Sequence, residues 1–407
     1  MMLGGGAGLA LGAWLGPRWQ DPELAVLVTT LGLVGSTFLA LLKALIVPLV
    51  VTSIVLGVCR LGSAGGVARL AGATALYFMA TTTAAVLTGL VLVQAIGPGR
   101  GGAGLPEAAA SPVAERTPLA AVAELVQGMF PQNLVAAAGE GNVLGLIVFS
   151  LLFGAALARI GVRGETLAQA LEGLNEALML FVRGLVWLAP LGILGLVAER
   201  MGRAGGGAAA LEEVTRLGTY ALTVVLGLAV HACVTLPALL WLVTRRSPLR
   251  YASGLAEALL TALGTASSAA TLPLTMRGVV EKNGVAPRAA DFVLPVGTTV
   301  NMDGTALYEA VAVVFIAQTL GIELSFEQLV LVALTATLAA VGAAAIPEAG
   351  LITMVLVLEA VDLPAEGIGL LLSIDWILDR LRTTVNVWGD AVGAAVIERA
   401  LPEEGRT

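Results

Sequence analysis

"LGTYALTVVLGLAVHACVTLPALLWLVT" occupies residues 217–244 and contains no Asp, Glu, Lys or Arg. About 20 apolar residues cross the hydrocarbon core of a bilayer as a helix, so this stretch is long enough to span it. Comparable runs recur along all 407 residues, which are 57% hydrophobic and 13% charged with a mean hydropathy of +0.92. Soluble domains carry about twice that charge. The apolar runs are continuous rather than alternating, which excludes a β-barrel and leaves an all-α polytopic membrane protein. Arg60, Arg69, Arg159, Arg163, Arg245, Arg246, Arg250, Arg277, Lys282 and Arg288 fall in every second connection. That pattern places those connections, with the N- and C-termini, on the cytoplasmic side of the cell membrane. "MMLGGGAGLALGAWLG" at the start lacks a basic leader and reads as a first membrane helix, not a cleaved signal.

Working outward from that span, the first half predicts long helices at 1–16, 24–61, 66–97, 119–160, 166–201 and 213–244. A Gly-, Pro- and Ala-rich loop is expected over 98–118, and "AGGGAAA" after Arg203 reads as another. The second half differs. Residues 252–282 are apolar on both sides of "GTASSAATLP" (Gly264–Pro273), and residues 327–363 on both sides of "GAAAIPEAG" (Gly342–Gly350). Each reads as a re-entrant hairpin of two half-helices. Its non-helical tip is tolerated at membrane depth only where it is buried in protein or lines a cavity. One charged helix follows each hairpin, at 288–320 and 366–400, giving the internal repeat of a secondary transporter. The expected total is eight transmembrane helices plus two hairpins.

The charges inside these helices carry the chemistry. In "DWILDRLRTTVNVWGD" (Asp375–Asp390), Asp375, Asp379, Arg382, Asn386 and Asp390 fall within an arc of about 80° at 100° per residue. Each charge facing lipid costs about 3 kcal/mol or more, so the stripe must face protein or water. It is read as a binding site, with the alternative of ion pairs between helices. Oxygens on one face suit a hard monovalent cation. Arg380 lies outside the arc and is expected to need a partner on another element. In "VGTTVNMDGTALYE" (Val296–Glu309), Asn301 and Asp303 sit between Gly297 and Gly304, all poor helix formers or strategically polar. A local unwinding is expected there, with freed carbonyls and the Asn301 and Asp303 oxygens turned to a cation. Glu309, in an apolar run without a basic neighbour, is a candidate proton carrier. The first hairpin tip offers Ser267, Ser268 and Thr271. Its backbone N–H groups suit a carboxylate, and close packing of small residues is the equal alternative. Cys59 and Cys233 read as buried small hydrophobes. His231, the single histidine, reads as packing or an interhelical hydrogen bond, not a metal ligand.

"NMDGTALYE", the serine-bearing tip and "DWILDRLRTTVNVWGD" together resemble the excitatory amino-acid transporters of the glutamate/dicarboxylate–cation symporter family. "KALIVPLVVTSIVLGV" (Lys43–Val58), "MFPQNLV" (Met129–Val135) and "NVLGLIVFSLLFG" (Asn142–Gly154) fit as well. The resemblance implies a homotrimer in the lipid bilayer, with no nucleic-acid partner and no bound cofactor. Each protomer would have scaffold helices in 1–65 and 98–212, helix 3 (66–97) in the moving part, and a transport core over 213–407, working as an elevator. Asp379 and Thr383 would hold the substrate amino group, Arg382 and Thr305 its side-chain carboxylate, and Ser268 and Asn386, beside Ser267, its α-carboxylate. Na+ would bind at Gly297, Asn301, Asn386 and Asp390, at Thr81, Thr82, Asn301 and Asp303, and on the backbone of Thr299, Ala340, Val341 and Ala343. Glu309 matches the acid that animal members use for H+ and K+ coupling, and Arg380 follows Asp379 as in animal glutamate carriers. The departures are Ala266, where archaeal members have Arg, Phe78 for a Tyr, Ala269 for a tip serine, and Glu348 in the second tip. The short 98–118 loop implies a prokaryotic or trimmed member.

These features imply sodium-coupled symport of L-glutamate and/or L-aspartate, with H+ symport and K+ antiport. A C4-dicarboxylate carrier of the same family would have no amine for Asp379. A neutral amino-acid carrier would lack Arg382. An ion channel is the rival from another class, since charges also line pores; it would show no concentrative uptake. An enzyme is disfavoured because the sequence offers no nucleophile–base pair and its histidine is isolated.

Overall fold

The computed structural model describes residues 2–62, 68–101, 127, 129–139, 143–203, 207–341, 349–364 and 367–399. Among them every regular element is helical and none is a strand. In lipid this follows from elementary cost, because a helix satisfies its own backbone groups. In chain order the helices are α1 (Met2–Leu15), α2 (Ala25–Gly62), α3 (Ala68–Ile96), α4 (Leu134–Gly139), α5 (Val143–Arg159) and α6 (Val162–Arg203). Then come α7 (Gly207–Val230), α8 (Leu236–Thr244), α9 (Pro248–Gly254), α10 (Ala256–Thr265), α11 (Ser268–Arg277) and α12 (Pro287–Val300). The last are α13 (Asp303–Thr319), α14 (Phe326–Val341), α15 (Ala349–Ala360) and α16 (Ile368–Glu398). Leu70–Ile96, Leu211–Thr244 and Pro287–Thr319 are long and apolar enough to cross a membrane, and the last is buried throughout by its neighbours.

Two expectations change. The continuous helix expected over 119–160 is not formed. Pro131 lacks an N–H and restricts the residue before it. Asn133 then caps α4, its Oδ1 accepting from the N–H of Val135 (2.9 Å) and Ala136 (3.2 Å), and residues 129–133 are non-helical. Cys59 is buried, as expected, but Cys233 is exposed. It sits on the outer face of a π-helical turn, His231–Thr235, that joins α7 to α8. Most of the 98–118 loop and the tip 342–348 lie outside the described residues.

Packing sorts the helices. α1 and α2 pack on α6, and α5 packs chiefly on α2. Gly8 and Gly12, one turn apart on α1, let it approach α6 so closely that a Cβ would lie 3.0 Å from the Leu194 carbonyl oxygen and 2.5 Å from Met201 Cβ. Small residues at this spacing are how helices associate without a hydrophobic driving force in lipid. A second assembly is built on α16, which touches α10, α11, α12, α13, α7 and α8, while α13 also packs on α3, α14 and α15. Within it, Glu257 at the start of α10 pairs with Arg277 at the end of α11 (3.0 Å) and with Lys282 (3.3 Å). These pairs bring the two outer ends of α10 and α11 side by side.

The far end of α16 is anchored by a buried acid. Glu398 accepts from the Ala286 N–H (2.7 Å) just before α12 and from Arg246 Nη2 (2.8 Å) after α8. Arg246 Nη1 also donates to the Asn283 carbonyl at 2.6 Å. The anchor fixes the register of α16 against α12, the two helices that carry the site. Glu398→Ala strands the Ala286 N–H and leaves Arg246 Nη2 with only its longer bond to the Gly284 carbonyl, 3.3 Å. It is expected to cost about 2–3 kcal/mol, read as a lower thermal midpoint in detergent; an unchanged midpoint contradicts the anchoring role.

Candidate functional site

The unwinding expected near Asn301 is present. α12 ends at Val300, α13 starts at Asp303, and Asn301 (φ −102, ψ 84) and Met302 (φ −115, ψ 59) are non-helical between them. The break leaves orphan backbone groups on both sides, carbonyls at the end of α12 and N–H groups at the start of α13. Asn386 on α16 supplies one partner: its Oδ1 accepts from the Gly304 N–H at 2.8 Å, and its Nδ2 donates to Thr305 Oγ1 at 3.3 Å. A side chain at Gly304 would crowd the Arg382 carbonyl oxygen, 2.8 Å from an ideal Cβ. The glycine is therefore what lets α13 start against α16.

The polar stripe of α16 is buried along its length, Asp375, Asp379, Arg382, Thr383, Asn386 and Asp390 alike. Arg382 is fully enclosed. Its Nη2 donates to Asp379 Oδ1 at 2.8 Å, and its Nη1 lies 2.9 Å from Asp375 Oδ1, an ion pair without hydrogen-bond alignment. The guanidinium stacks over the Tyr308 ring at 3.8 Å from α13. On the α15 side, a Cβ on Gly350 would lie 3.1 Å from Nη1. Ion pairs are thus formed along the stripe, but within α16 rather than between helices as the alternative reading of the sequence had them.

Two oxygen-rich clusters flank the break. Asn301 Nδ2 donates to Asp390 Oδ1 at 3.0 Å, and Gly297 backs that carboxylate so closely that a Cβ there would overlap Oδ1. Asp303 Oδ1 accepts from Thr82 (2.7 Å) and Thr81 (3.2 Å) on α3, and Thr81 Oγ1 is 3.3 Å from Asn301 Oδ1. Asp303 Oδ2 lies 3.1 Å from His231 Nε2. Thr299 is half-buried, and Ala340 and Val341 are buried at the end of α14. Ala343 and Glu348 lie outside the described residues.

Other site residues are placed as follows. Ser267 caps α11, its hydroxyl accepting from the Ala270 N–H at 3.2 Å, and Ser268 is buried beside it. Ala266 makes the bend, with φ at 50°, a left-handed conformation that an alanine seldom adopts. Glu309 is fully buried on α13; one carboxylate oxygen accepts from the Thr353 hydroxyl, and the other has no partner among the described residues. Arg380 departs from expectation. Its described contacts are on its own helix, the Trp376 carbonyl and the Trp376 ring at 5.4 Å. Four residues back on a helix is within reach of a long side chain, so no second element is needed. Phe78 packs edge-on against Tyr77, whose hydroxyl donates to the Gly389 carbonyl at 2.8 Å.

The sequence assigns no role to Tyr308, Thr353 or Tyr77, and it places Asp375 on the polar stripe without a task of its own. Asp375 and Tyr308 carried a signal, the first by lying on the polar stripe and the second by lying one residue before Glu309. Thr353 and Tyr77 carried none, since nothing local marks which buried hydroxyl meets which helix.

Charged residues sealed inside apolar helices, around a broken helix that frees backbone groups, define a membrane transporter. Residues 1–400 match the model of the sodium:dicarboxylate symporter family, and the chain belongs to that family. It is similar to excitatory amino acid transporter 3 of Mus musculus, 40% identical over 419 residues that cover 91% of this chain and 79% of the relative. Excitatory amino acid transporter 1 of Ambystoma tigrinum is 39% identical over 425 residues, covering 89% and 76%. The Homo sapiens transporter 1 reaches 50% identity over 263 residues, covering 63% and 47%.

Gly297→Ala places a methyl group into Asp390 and is expected to break the Asn301–Asp390 bond, lowering the thermal midpoint. Gly72→Ala on α3, where a Cβ meets nothing within 4 Å, is expected to leave it unchanged or raise it slightly. Equal midpoints for the two variants contradict the close approach.

Proposed function

We propose that this chain is a sodium-coupled secondary symporter of acidic amino acids, L-glutamate and/or L-aspartate. The observation that carries the reading is the Arg382–Asp379 pair at 2.8 Å, with Asp375 on the other arm of the guanidinium. A buried charge cannot lose its partner cheaply: breaking such a pair by removing one side costs about 3–5 kcal/mol. An acidic amino acid offers both replacements at once. Its ammonium takes Asp379, with Thr383 alongside, and its side-chain carboxylate takes Arg382, with Thr305. Its α-carboxylate goes to Asn386, Ser268 and the N–H groups of α11. Asp375 and Tyr308 keep Arg382 oriented throughout. A C4-dicarboxylate would leave Asp379 unpaired, and a neutral amino acid would leave Arg382 unpaired.

In this reading Na+ is held by Asp390, Asn301, Asn386 and the Gly297 carbonyl, and by Asp303, Thr81, Thr82 and Asn301. A third ion uses the backbone of Thr299, Ala340, Val341 and Ala343. The cations offset the negative charge that these carboxylates concentrate in a low-dielectric interior. α10–α11 and α14–α15 act as re-entrant hairpins among eight transmembrane helices, with α15 covering the Arg382 side. α1, α2, α5 and α6 form a scaffold, assembled as a homotrimer with cytoplasmic termini. The assembly on α16 moves as an elevator. Glu309 carries H+ inward and admits K+ on the return, with Arg380 on the substrate helix contributing to coupling.

Purified protein in proteoliposomes is expected to concentrate radiolabelled L-aspartate or L-glutamate with sodium outside. Substrate-independent current without concentrative uptake favours a channel. Arg382→Cys is expected to abolish acidic amino-acid uptake by at least about a hundredfold, given the value of a buried charge-assisted pair; retained uptake removes Arg382 from the substrate site. Glu309→Gln is expected to keep sodium-dependent exchange while losing stimulation of net uptake by internal potassium. Potassium stimulation that survives in Glu309→Gln excludes Glu309 from coupling.

A further inference from the structure

The π-helical turn His231–Thr235 has a local cause and a distant effect. The Leu236 N–H bonds to the His231 carbonyl, five residues back. Ala232 thereby loses its ordinary helical donor, and the residue that would continue the pattern, Pro237, has no N–H. The freed Ala232 carbonyl accepts instead from Trp388 Nε1 at 3.1 Å. Trp388 lies between Asn386 and Asp390 on α16, so the turn is fastened to the helix that carries the site. Isolated π turns are frequent at functional sites.

The same turn sets His231. The ring is wholly buried, with Nε2 3.1 Å from Asp303 Oδ2 and Nδ1 without a hydrogen-bond partner among the described residues. A carboxylate acceptor places the imidazole hydrogen on Nε2. Asp303 is then gripped from two sides. Thr82 and Thr81 donate to Oδ1, at 2.7 and 3.2 Å, and His231 donates to Oδ2. The two grips differ in what sodium does to them. To ligate the ion, the threonine oxygens must present lone pairs to it, so their hydrogens rotate away from Oδ1, as hydroxyl hydrogens do readily. The His231 bond lies on the other oxygen and need not break.

We propose that His231 is a positioning residue of the cation site, holding Asp303 by Oδ2 so that Oδ1 stays turned toward Thr81, Thr82 and Asn301 as sodium arrives and leaves. The inference rests on the sodium role given to Asp303 above. It gives the one histidine of the chain a task in ion coupling without making it a ligand. Partners that orient a ligating group are worth about ten- to a hundredfold in metal affinity.

The test uses sodium alone as the probe. The sodium concentration giving half of the thermal stabilisation is measured without amino acid, and then the sodium half-saturation of uptake in proteoliposomes. His231→Leu is expected to raise both by about tenfold while uptake at saturating sodium largely recovers. His231→Gln carries an amide nitrogen to the place of Nε2 and is expected to stay near the parent protein. His231→Asn places its nitrogen short, near Nδ1, and is expected to behave like the leucine variant. Should His231→Leu not fold, the Gln and Asn variants decide. Unchanged sodium dependence in the Leu or Asn variant overturns the proposal, as does a folded Gln variant as impaired as Asn. Asp303→Asn separates the levels: if it leaves sodium dependence unchanged, the cation site itself is misassigned. If it shifts sodium dependence and His231→Leu does not, only the role of His231 falls.

Discussion

A guanidinium with no exposure to solvent, deep in an apolar bundle, constrains everything around it. Arg382 is tolerated because two carboxylates and an aromatic face surround it: Asp375, Asp379 and the Tyr308 ring at 3.8 Å. Desolvating these charges is expensive, and their mutual attraction repays it only when none is left alone. Asp379 and Arg382 can therefore part only when something brings a cation for one and an anion for the other. In the proposed function, selectivity for an acidic amino acid follows from that requirement, before any detail of pocket shape. The fit also limits what packs above: α15 presents a glycine, Gly350, where a larger residue would press on Nη1.

The broken helix is the second constraint, and α16 ties it to the first. Asn386 stands one turn beyond Arg382 and accepts from the Gly304 N–H, while Asp390, one turn further, accepts from Asn301. One face of one helix thus carries the Arg382 ion pairs, the partner of the orphan end of α13 and the carboxylate that meets Asn301 in successive turns. A shift of α16 along its axis would disturb all three together. In the proposed function, that shared dependence is a physical route by which sodium and substrate binding become coupled, since each ion or ligand would stabilise the same register.

Much of this was legible in the chain itself. Charge in lipid is costly enough that the Asp375–Asp390 stripe had to be enclosed, and helical geometry alone put those residues on one face. The polar, glycine-flanked Asn301 likewise marked the break between α12 and α13. What failed depended on contacts that no single segment encodes. The sequence overextends the 119–160 helix because its alanine-rich composition outweighs Pro131 and the capping Asn133. It calls for a partner to Arg380 on another element although Trp376 lies one turn away. It puts Cys233 inside because a uniformly apolar run hides which face looks outward. His231 reads as packing or an interhelical hydrogen bond, and it makes the bond, but its partner Asp303 is 72 residues away and no periodicity connects them.

The central claim is that the Asp379–Arg382 pair opens only for a ligand carrying both charges, and only when cations are present. Isothermal titration calorimetry of the purified protein tests it most directly. L-aspartate, L-glutamate, succinate and L-alanine would each be titrated in sodium and in choline. Binding of an acidic amino acid in sodium, with none in choline and none of succinate or alanine, is the predicted result. Succinate binding as tightly as aspartate, or equal affinity in sodium and choline, would contradict it.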